Sequence, residues 1–258
     1  MRIAVLADIH GNVLALDAVL DDLERRGGAD LTVNLGDCVS GPLWPRETFE
    51  RLEALDLPTV RGNHDRRVAV DPADATMWAS DRYAQERLTS ARREALFALP
   101  FMLEIIPGVV AFHARPDHDE KYLLDAIVDG QLVRAPLAAI QRRLKPLDPT
   151  CRFVLCGHSH RPELIRIPDG PVIFNPGSVG APAYDDDTPP AHVSEQGSPH
   201  ARYGIVTLDG EGPDRFETIA VDYDHEAAAR QAEQAGRPEW AHALRTGFMP
   251  KSSGQGSV

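Results

Sequence analysis

The chain has 258 residues, 43% of them hydrophobic and 26% charged, the make-up of a globular protein able to bury a sizeable core in one large domain or two small ones. Its 39 acidic and 27 basic residues give a formal net charge of −12, which disfavours long nucleic acid as a partner. An anionic small substrate stays open only if something inside the site supplies positive charge. No apolar stretch approaches a membrane span, and the opening MRIAVLADIH lacks the regions of a signal peptide, so the expectation is a cytoplasmic protein with no membrane partner. Cys38, Cys151 and Cys156 form no CxxC pattern and leave one unpaired in any disulfide scheme, which points to reduced thiols.

In chain order, RIAVLA is a short buried strand that runs into the turn chemistry of DIHGN. VLALDAVLDDLERRG spaces Val13, Leu16, Val19, Leu20 and Leu23 as one face of a helix and stops at Gly27. LTVNLGD then reads as a second strand, PRETFERLEAL as a second helix and LPTVRGN as a third strand, an alternation that implies parallel pairing. A helical region follows over roughly 75–99. FMLEIIPGVVAFHA is a hairpin about Pro107-Gly108, LAAIQRRLKPL a helix, CRFVLCGHSH a strand and ELIRIPDGPVIFNPGSVG a second hairpin. The Pro- and Asp-rich stretch 181–201 has no periodicity and is expected to be a loop or partly disordered excursion. Two strands in RYGIVTLDGEGPDRFETIAVDYD and two short helices follow, so a single domain over 1–247 and a flexible tail over 248–258 are expected.

Polar residues gather where strands end, the edge at which α/β proteins build their sites. Asp8 and His10 follow the first strand, Asp37 the second, Asn63 and His64 the third, His113 the hairpin, and His158 with His160 end the strand CRFVLCGHSH. Singly, each cluster has a plain structural reading: DIH as a strand end with a helix-capping aspartate, LGD as a turn, His113 as a satisfied strand-end histidine. Five placements of metal-type ligands at one kind of position are harder to explain that way. Carboxylate, amide oxygen and imidazole donors suit Mn²⁺, Fe²⁺ or Zn²⁺, and the lack of thiolates argues against a closed structural zinc site.

DIH, GD, GNHD, a lone histidine after a strand and GHSH, in this order, resemble the five signatures of the calcineurin-like metallophosphoesterase superfamily. GDCVSGPLWPRE and FHARPDHDEKYL look like stretches of a small bacterial phosphodiesterase/phosphatase subgroup. The resemblance implies an α/β fold, a four-layer αββα sandwich of two mixed β-sheets flanked by helices. It also implies a hydrolase that cleaves a small phosphodiester or phosphomonoester with two divalent ions, Mn²⁺ first, with Fe²⁺/Fe³⁺, Zn²⁺, Ni²⁺ and Mg²⁺ as alternatives. Asp8, His10, Asp37 and His160 would hold one ion, and Asp37, Asn63, His113 and His158 the other, with Asp37 bridging. A bridging hydroxide would attack, His64 would protonate the leaving group and Asp65 would orient His64. Such a pair of ions would supply the positive charge that an acidic chain lacks.

The departures from the family pattern also matter. The stretch CVSGPLW after GD holds no arginine, which weakens a protein-phosphatase or symmetrical dinucleoside-tetraphosphatase reading, and the fourth motif is His113-Ala114. Asp117, His118 and Tyr122 either face substrate or decorate a loop surface, Arg61 is expected to be a surface ion-pair partner, and Ser159 is expected to point away from the ligands. Two further readings stay open: a catalytically silent binding scaffold on the same fold, and a nuclease for short or cyclic nucleotides. The C-terminal region either covers the site or forms a homodimer contact.

Overall fold

The computed structural model describes residues 1–70, 77–210, 212 and 214–251. Strand β1 (Arg2–Leu6) leads into helix α1 (Val13–Arg25), followed by β2 (Leu31–Asn34) and α2 (Pro45–Leu55). Helices α3 (Asn63–Ala69), α4 (Ala79–Gln85) and α5 (Ser90–Ala98) come next. The hairpin β3 (Met102–Ile106) and β4 (Val109–Phe112) precedes a second hairpin, β5 (Asp125–Val128) and β6 (Gln131–Arg134). Then come α6 (Leu137–Arg143), β7 (Phe153–Leu155), β8 (Glu163–Arg166), β9 (Val172–Asn175), β10 (Ala183–Asp186), β11 (His192–Glu195), β12 (Ala201–Thr207), β13 (Arg215–Val221), α7 (His225–Gln234) and α8 (Pro238–Thr246).

Two mixed sheets make the centre. One runs β13-β12-β1-β2, with β1 parallel to β2 and antiparallel to β12. The other runs β3-β4-β7-β9-β8, parallel across β4, β7 and β9. Ile3, Val5 and Val33 of the first sheet share one buried cluster with Ala111, Leu155 and Phe174 of the second, so the main core lies between the sheets. The alternation along β1 turns Ala4 and Leu6 the other way, onto Leu16, Val19 and Leu23 of α1. On the far side Val154 and Ile173 meet Ile140 of α6 and Leu144 just beyond it. Helix, sheet, sheet, helix is the expected four-layer order.

The structure adds to the expected elements and moves some of them. A third sheet, β10-β11-β6-β5, accompanies the expected two. Half of it is the 181–201 stretch, which is an ordered hairpin with Ala183 paired to Glu195 and Asp186 to His192, and not a loop. Its partner hairpin β5–β6 turns on Asp129-Gly130 (φ 51° and 73°), a two-residue signal that Asp-Gly between short apolar runs provides. The third strand expected over LPTVRGN reduces to one bridge, Thr59 to Asn34. The chain leaves the sheet because Gly62 opens α3, with the Asp65 carboxylate accepting the Gly62 N–H at 2.9 Å, half of a capping box. Asn12, and not Asp8, caps α1, its side chain accepting from Ala15 N–H at 3.2 Å.

The helical region expected from 75 is described from 77 onward, as α4 and α5, with 75 and 76 outside the described residues. Of the expected flexible tail, Met249 donates its N–H to Glu195 at 2.9 Å, and 252–258 lie outside the described residues. Among the described residues no helix is long and apolar enough to cross a membrane, and Cys38, Cys151 and Cys156 are buried and unpaired.

The sheets approach closely where Gly204 of β12 faces Phe174 of β9. A Cβ added at Gly204 would lie 2.3 Å from the Phe174 ring and 3.2 Å from Pro176, with no free space to take it. Gly204→Ala is therefore expected to lower stability by about 1–3 kcal/mol through overpacking. Urea unfolding should show a lower midpoint at unchanged slope, and an unchanged midpoint would mean that the inter-sheet contact yields freely.

Candidate metal centre

Eight of the nine candidate residues, all but Asp65, converge at the ends of β1, β2, β4 and β7 and at the first turn of α3. Asp8, His10 and His160 form one buried group whose ligand atoms lie within 4.8 Å of one another, and Asp37, His113 and His158 form a second. Asp37 joins them, its Oδ2 standing 3.9 Å from His10 Nε2 and 3.2 Å from His113 Nε2. Asn63 completes the second group, with Oδ1 3.0 Å from His113 Nε2. His160 Nε2 is 3.5 Å from Asp8 Oδ1. Every residue of both expected ligand sets is thus brought together.

Backbone carbonyls fix the histidine tautomers. Nδ1–H donates from His10 to Ser40 O (2.7 Å), from His113 to Leu35 O (2.8 Å) and from His160 to Ala181 O (2.7 Å). Each of these leaves Nε2 for the cluster. His158 is reversed, with Nε2–H donating to Glu120 O (2.8 Å) and Nδ1 left over. As neutral rings, His10 and His160 bring two bare Nε2 lone pairs to 3.1 Å of each other. Facing lone pairs in a buried setting need a cation between them, and the oxygen and nitrogen donor set fits borderline divalent ions.

The backbone is bent to make this possible. Asp8, His10, Asp37, His158 and His160 all have φ between 50° and 69°, in the left-handed region. Asp and His enter that region more readily than most residues, but each still carries a local cost. Gly62 is required by the same crowding, since a Cβ there would lie 2.0 Å from Asp37 Oδ1.

The electrostatics are those of a site prepared for cations. Burial pushes the Asp8 carboxyl up to about 8, with the Asp37 charge adding to the rise. Burial alone would lower His113, but the adjoining Asp37 and Asp8 carboxylates raise it to about 10. Burial lowers His10 to about 4, and burial with the nearby His113 lowers His158 to about 3. Burial would raise Asp37, yet the surrounding His113 and His64 hold it well below the usual carboxylate range.

His64 stands at the edge of this cluster, its ring centroid 5.4 Å from that of His10. Its expected partner Asp65 is corrected. The Asp65 carboxylate faces away and accepts the backbone N–H groups of Asp37 (2.8 Å), Cys38 (2.9 Å) and Gly62 (2.9 Å). His64 Nδ1 instead donates to Asp81 Oδ1 at 2.7 Å, and the Ser40 hydroxyl donates to the same oxygen at 2.6 Å. Adjacent residues on a helix face different ways, so Asp65 was never placed to reach the ring of His64. Asp81 sits in α4 with no local motif to mark it, and only the fold brings it across. Although burial would lower His64, Asp81 and Asp37 raise it to about 9.

The secondary candidates also separate. Tyr122 lines the cavity beside the cluster, stacked on His158 at 4.8 Å. Asp117 pairs with Arg115, and His118 Nδ1 accepts from the Glu120 N–H. Arg61 has no carboxylate partner among the described contacts and donates to Phe97 O. Ser159 is buried, its hydroxyl 3.2 Å from Asn175 Nδ2. Tyr184, which the sequence did not mark, packs on His160 at 4.7 Å from the hairpin β10–β11.

The four-layer sandwich and the paired clusters at its strand ends define a calcineurin-like phosphoesterase. The model of the calcineurin-like phosphoesterase superfamily domain matches residues 1–195, and the chain belongs to that superfamily. It is 31% identical over 252 residues to uncharacterized protein MJ0912 of Methanocaldococcus jannaschii, covering 92% of this chain and 94% of that one. In structure it is similar to a metallophosphoesterase from Sphaerobacter thermophilus (TM-score 0.71, 24% identical, 95% of this chain and 98% of that one). It is also similar to hypothetical protein PH1004 from Pyrococcus horikoshii OT3 (TM-score 0.75, 22% identical, 96% and 99%). At these identities the two structures show the same fold.

The Asp65 contacts yield a test that separates support from chemistry. Asp65→Ala would leave three buried N–H groups without an acceptor, and a loss of at least about 2 kcal/mol of stability is expected. Asp81→Asn should cost far less in the same urea titration. The reverse order would contradict the assignment of Asp65 as the structural carboxylate.

Proposed function

We propose that this protein is a metal-dependent phosphoesterase that hydrolyses a small phosphodiester or phosphomonoester at the paired cluster. The observation that carries this reading is the linkage of two His–carboxylate groups through Asp37. Asp8, His10, Asp37 and His160 would hold one divalent ion, and Asp37, Asn63, His113 and His158 the second. When bound, such a pair supplies Lewis acidity toward phosphoryl oxygens and lowers the pKa of water, and Mn²⁺ is the first candidate.

The chain's own residues supply the rest. A carboxylate suits the shared position because one oxygen, Asp37 Oδ2, faces both groups while Oδ1 accepts the His64 N–H, and Asn63 adds an oxygen without adding charge. The carbonyls of Ser40, Leu35, Ala181 and Glu120 keep each histidine turned with its bare nitrogen inward. His64 is the general acid: Asp81 holds its Nδ1–H and leaves Nε2–H to be given to the alkoxide as the P–O bond breaks. The cavity next to the cluster, about 460 Å³, has room for a small ester. A macromolecular polyanion would meet Asp185 and Asp187, both exposed on the rim.

Metal-stripped protein reloaded with Mn²⁺, Zn²⁺ or Mg²⁺ should hydrolyse bis-p-nitrophenyl phosphate or p-nitrophenyl phosphate, and Asp37→Ala should not. Turnover in that variant equal to wild type would sink the reading. His64→Ala should lose about 10²–10⁴-fold on alkyl esters, which need a proton on the leaving oxygen, and much less on p-nitrophenyl esters.

The pH profile gives an independent check. An acid must be protonated to act, so activity falls as pH rises through the pKa of His64. Asp81 is one of the charges that raise that pKa, so Asp81→Asn should move the alkaline limb of kcat/KM to lower pH, by about one unit. A limb that stays in place would remove His64–Asp81 from the acid role.

A further inference from the structure

The cavity is larger than the reaction needs. A phosphoryl group fills a small part of about 460 Å³, and aromatic side chains wall part of the remainder. Two of the chain's three tryptophans, Trp78 and Trp240, line it, each partly exposed. The Trp78 ring lies 5.2 Å from that of His64, and the Trp240 ring 6.1 Å from that of His10. Since His10 and His64 are themselves 5.4 Å apart, the rings form a chain Trp78–His64–His10–Trp240, with the proposed acid next to Trp78. The alcohol of the ester must leave next to His64, so the group it carries enters this part of the cavity.

The charges there argue against a second anionic group. Arg67 lines the cavity, but its Nε and Nη2 are engaged by Glu120 at 3.2 and 2.9 Å, and its guanidinium lies 4.3 Å from the centre of the Trp78 ring. Arg237, also in the lining, is engaged by Glu239. Each cation has a carboxylate partner, although Glu120 is shared with Arg66 and Arg67 Nη1 has no acceptor among the described residues, and the β10–β11 hairpin adds Asp185, Asp186 and Asp187 to the rim. The largest aromatic surface offered to a substrate there is indole, from Trp78 and Trp240. Part-exposed indole in a concave site is a platform for flat rings, through area burial and ring–ring contact. Trp240 belongs to α8, beyond the 1–195 segment that matches the superfamily model.

We propose that Trp78 and Trp240 form a subsite for a planar aromatic ring carried by the alcohol of the phosphate ester, a substrate class that rests on the phosphoesterase reading above. Trp78 is placed on the same short segment as Asp81, so the residue that orients the acid and the residue that grips the leaving group move together. Arg67 packs against Trp78 and fixes its ring. Met249 and Ala243 complete an apolar floor that tolerates ring edges without setting their orientation.

Phosphonates test this without turnover, because their C–P bond is not an ester. Binding of benzylphosphonate and cyclohexylmethylphosphonate, and of the 2-phenylethyl and 2-cyclohexylethyl pair one carbon longer, is measured by calorimetry on the Mn²⁺-loaded full-length protein. At least one aromatic member is expected to bind about tenfold tighter than its saturated partner, the size of one good stacking contact. Trp78→Leu and Trp240→Leu, which keep apolar volume and so favour folding, should each reduce that ratio to about threefold or less. Equal affinity within both pairs, no binding of any of the four, or a ratio that survives in both variants overturns the subsite. Metal-dependent hydrolysis of bis-p-nitrophenyl phosphate is followed on the same preparation. Its absence counts against the phosphoesterase reading, whatever the ring preference.

Discussion

Asp37 is the point on which the arrangement depends. Its carboxylate is buried, faces His113 and His10 through one oxygen and accepts the His64 backbone N–H at 2.9 Å through the other. Its own N–H is held by Asp65. One side chain therefore joins two clusters, fixes the start of α3 and sets where His64 stands. The burial of carboxylates beside several imidazoles is costly in an apolar interior unless opposite charge is present. In the protein alone, Asp8 and His113 are both shifted toward their protonated forms. Divalent ions would displace those protons, so metal affinity should rise with pH as the competition weakens.

The backbone strain has the same origin. Five ligand candidates sit at positive φ because a strand that ends and turns at once can aim a short side chain back over the sheet edge. A gentler exit would carry Asp8 or His158 past the cluster. Loops this tight need neighbours that admit them, and Gly62 and Gly157 give close approach to Asp37 and Asp8 respectively. Such strain persists only where surrounding structure over-determines it, as the sandwich does here. The Tyr122–Tyr184–His192 hydrogen-bonded group adds a lateral wall, with Tyr122 2.7 Å from Tyr184 and 2.6 Å from His192.

Much of this was legible in the sequence, for identifiable reasons. The strands showed themselves through short buried runs ending in Asp, Asn and His, and α1 through its apolar spacing, while their arrangement in two sheets came from the family resemblance. Ligand candidates at strand ends are local signals, so Asp8, His10, Asp37, Asn63, His113, His158 and His160 could be named together. The residues missed act across the fold. Asp81 reaches His64 from a helix 17 positions on, and Tyr184 arrives on a hairpin whose Pro- and Asp-rich sequence hides its pairing. Asp65 misled because adjacency in sequence was read as adjacency of side chains. LPTVRGN misled because an apolar approach to a helix start resembles a strand end when the capping role of Asp65 is unseen.

The most direct test of the account is a Mn²⁺ titration of metal-free protein followed by electron paramagnetic resonance. If Asp37 joins two sites, two ions should bind per chain and couple, and the signal of an isolated ion should give way as the second site fills. A stoichiometry of one, or two ions with uncoupled signals, would contradict a centre built around a shared Asp37.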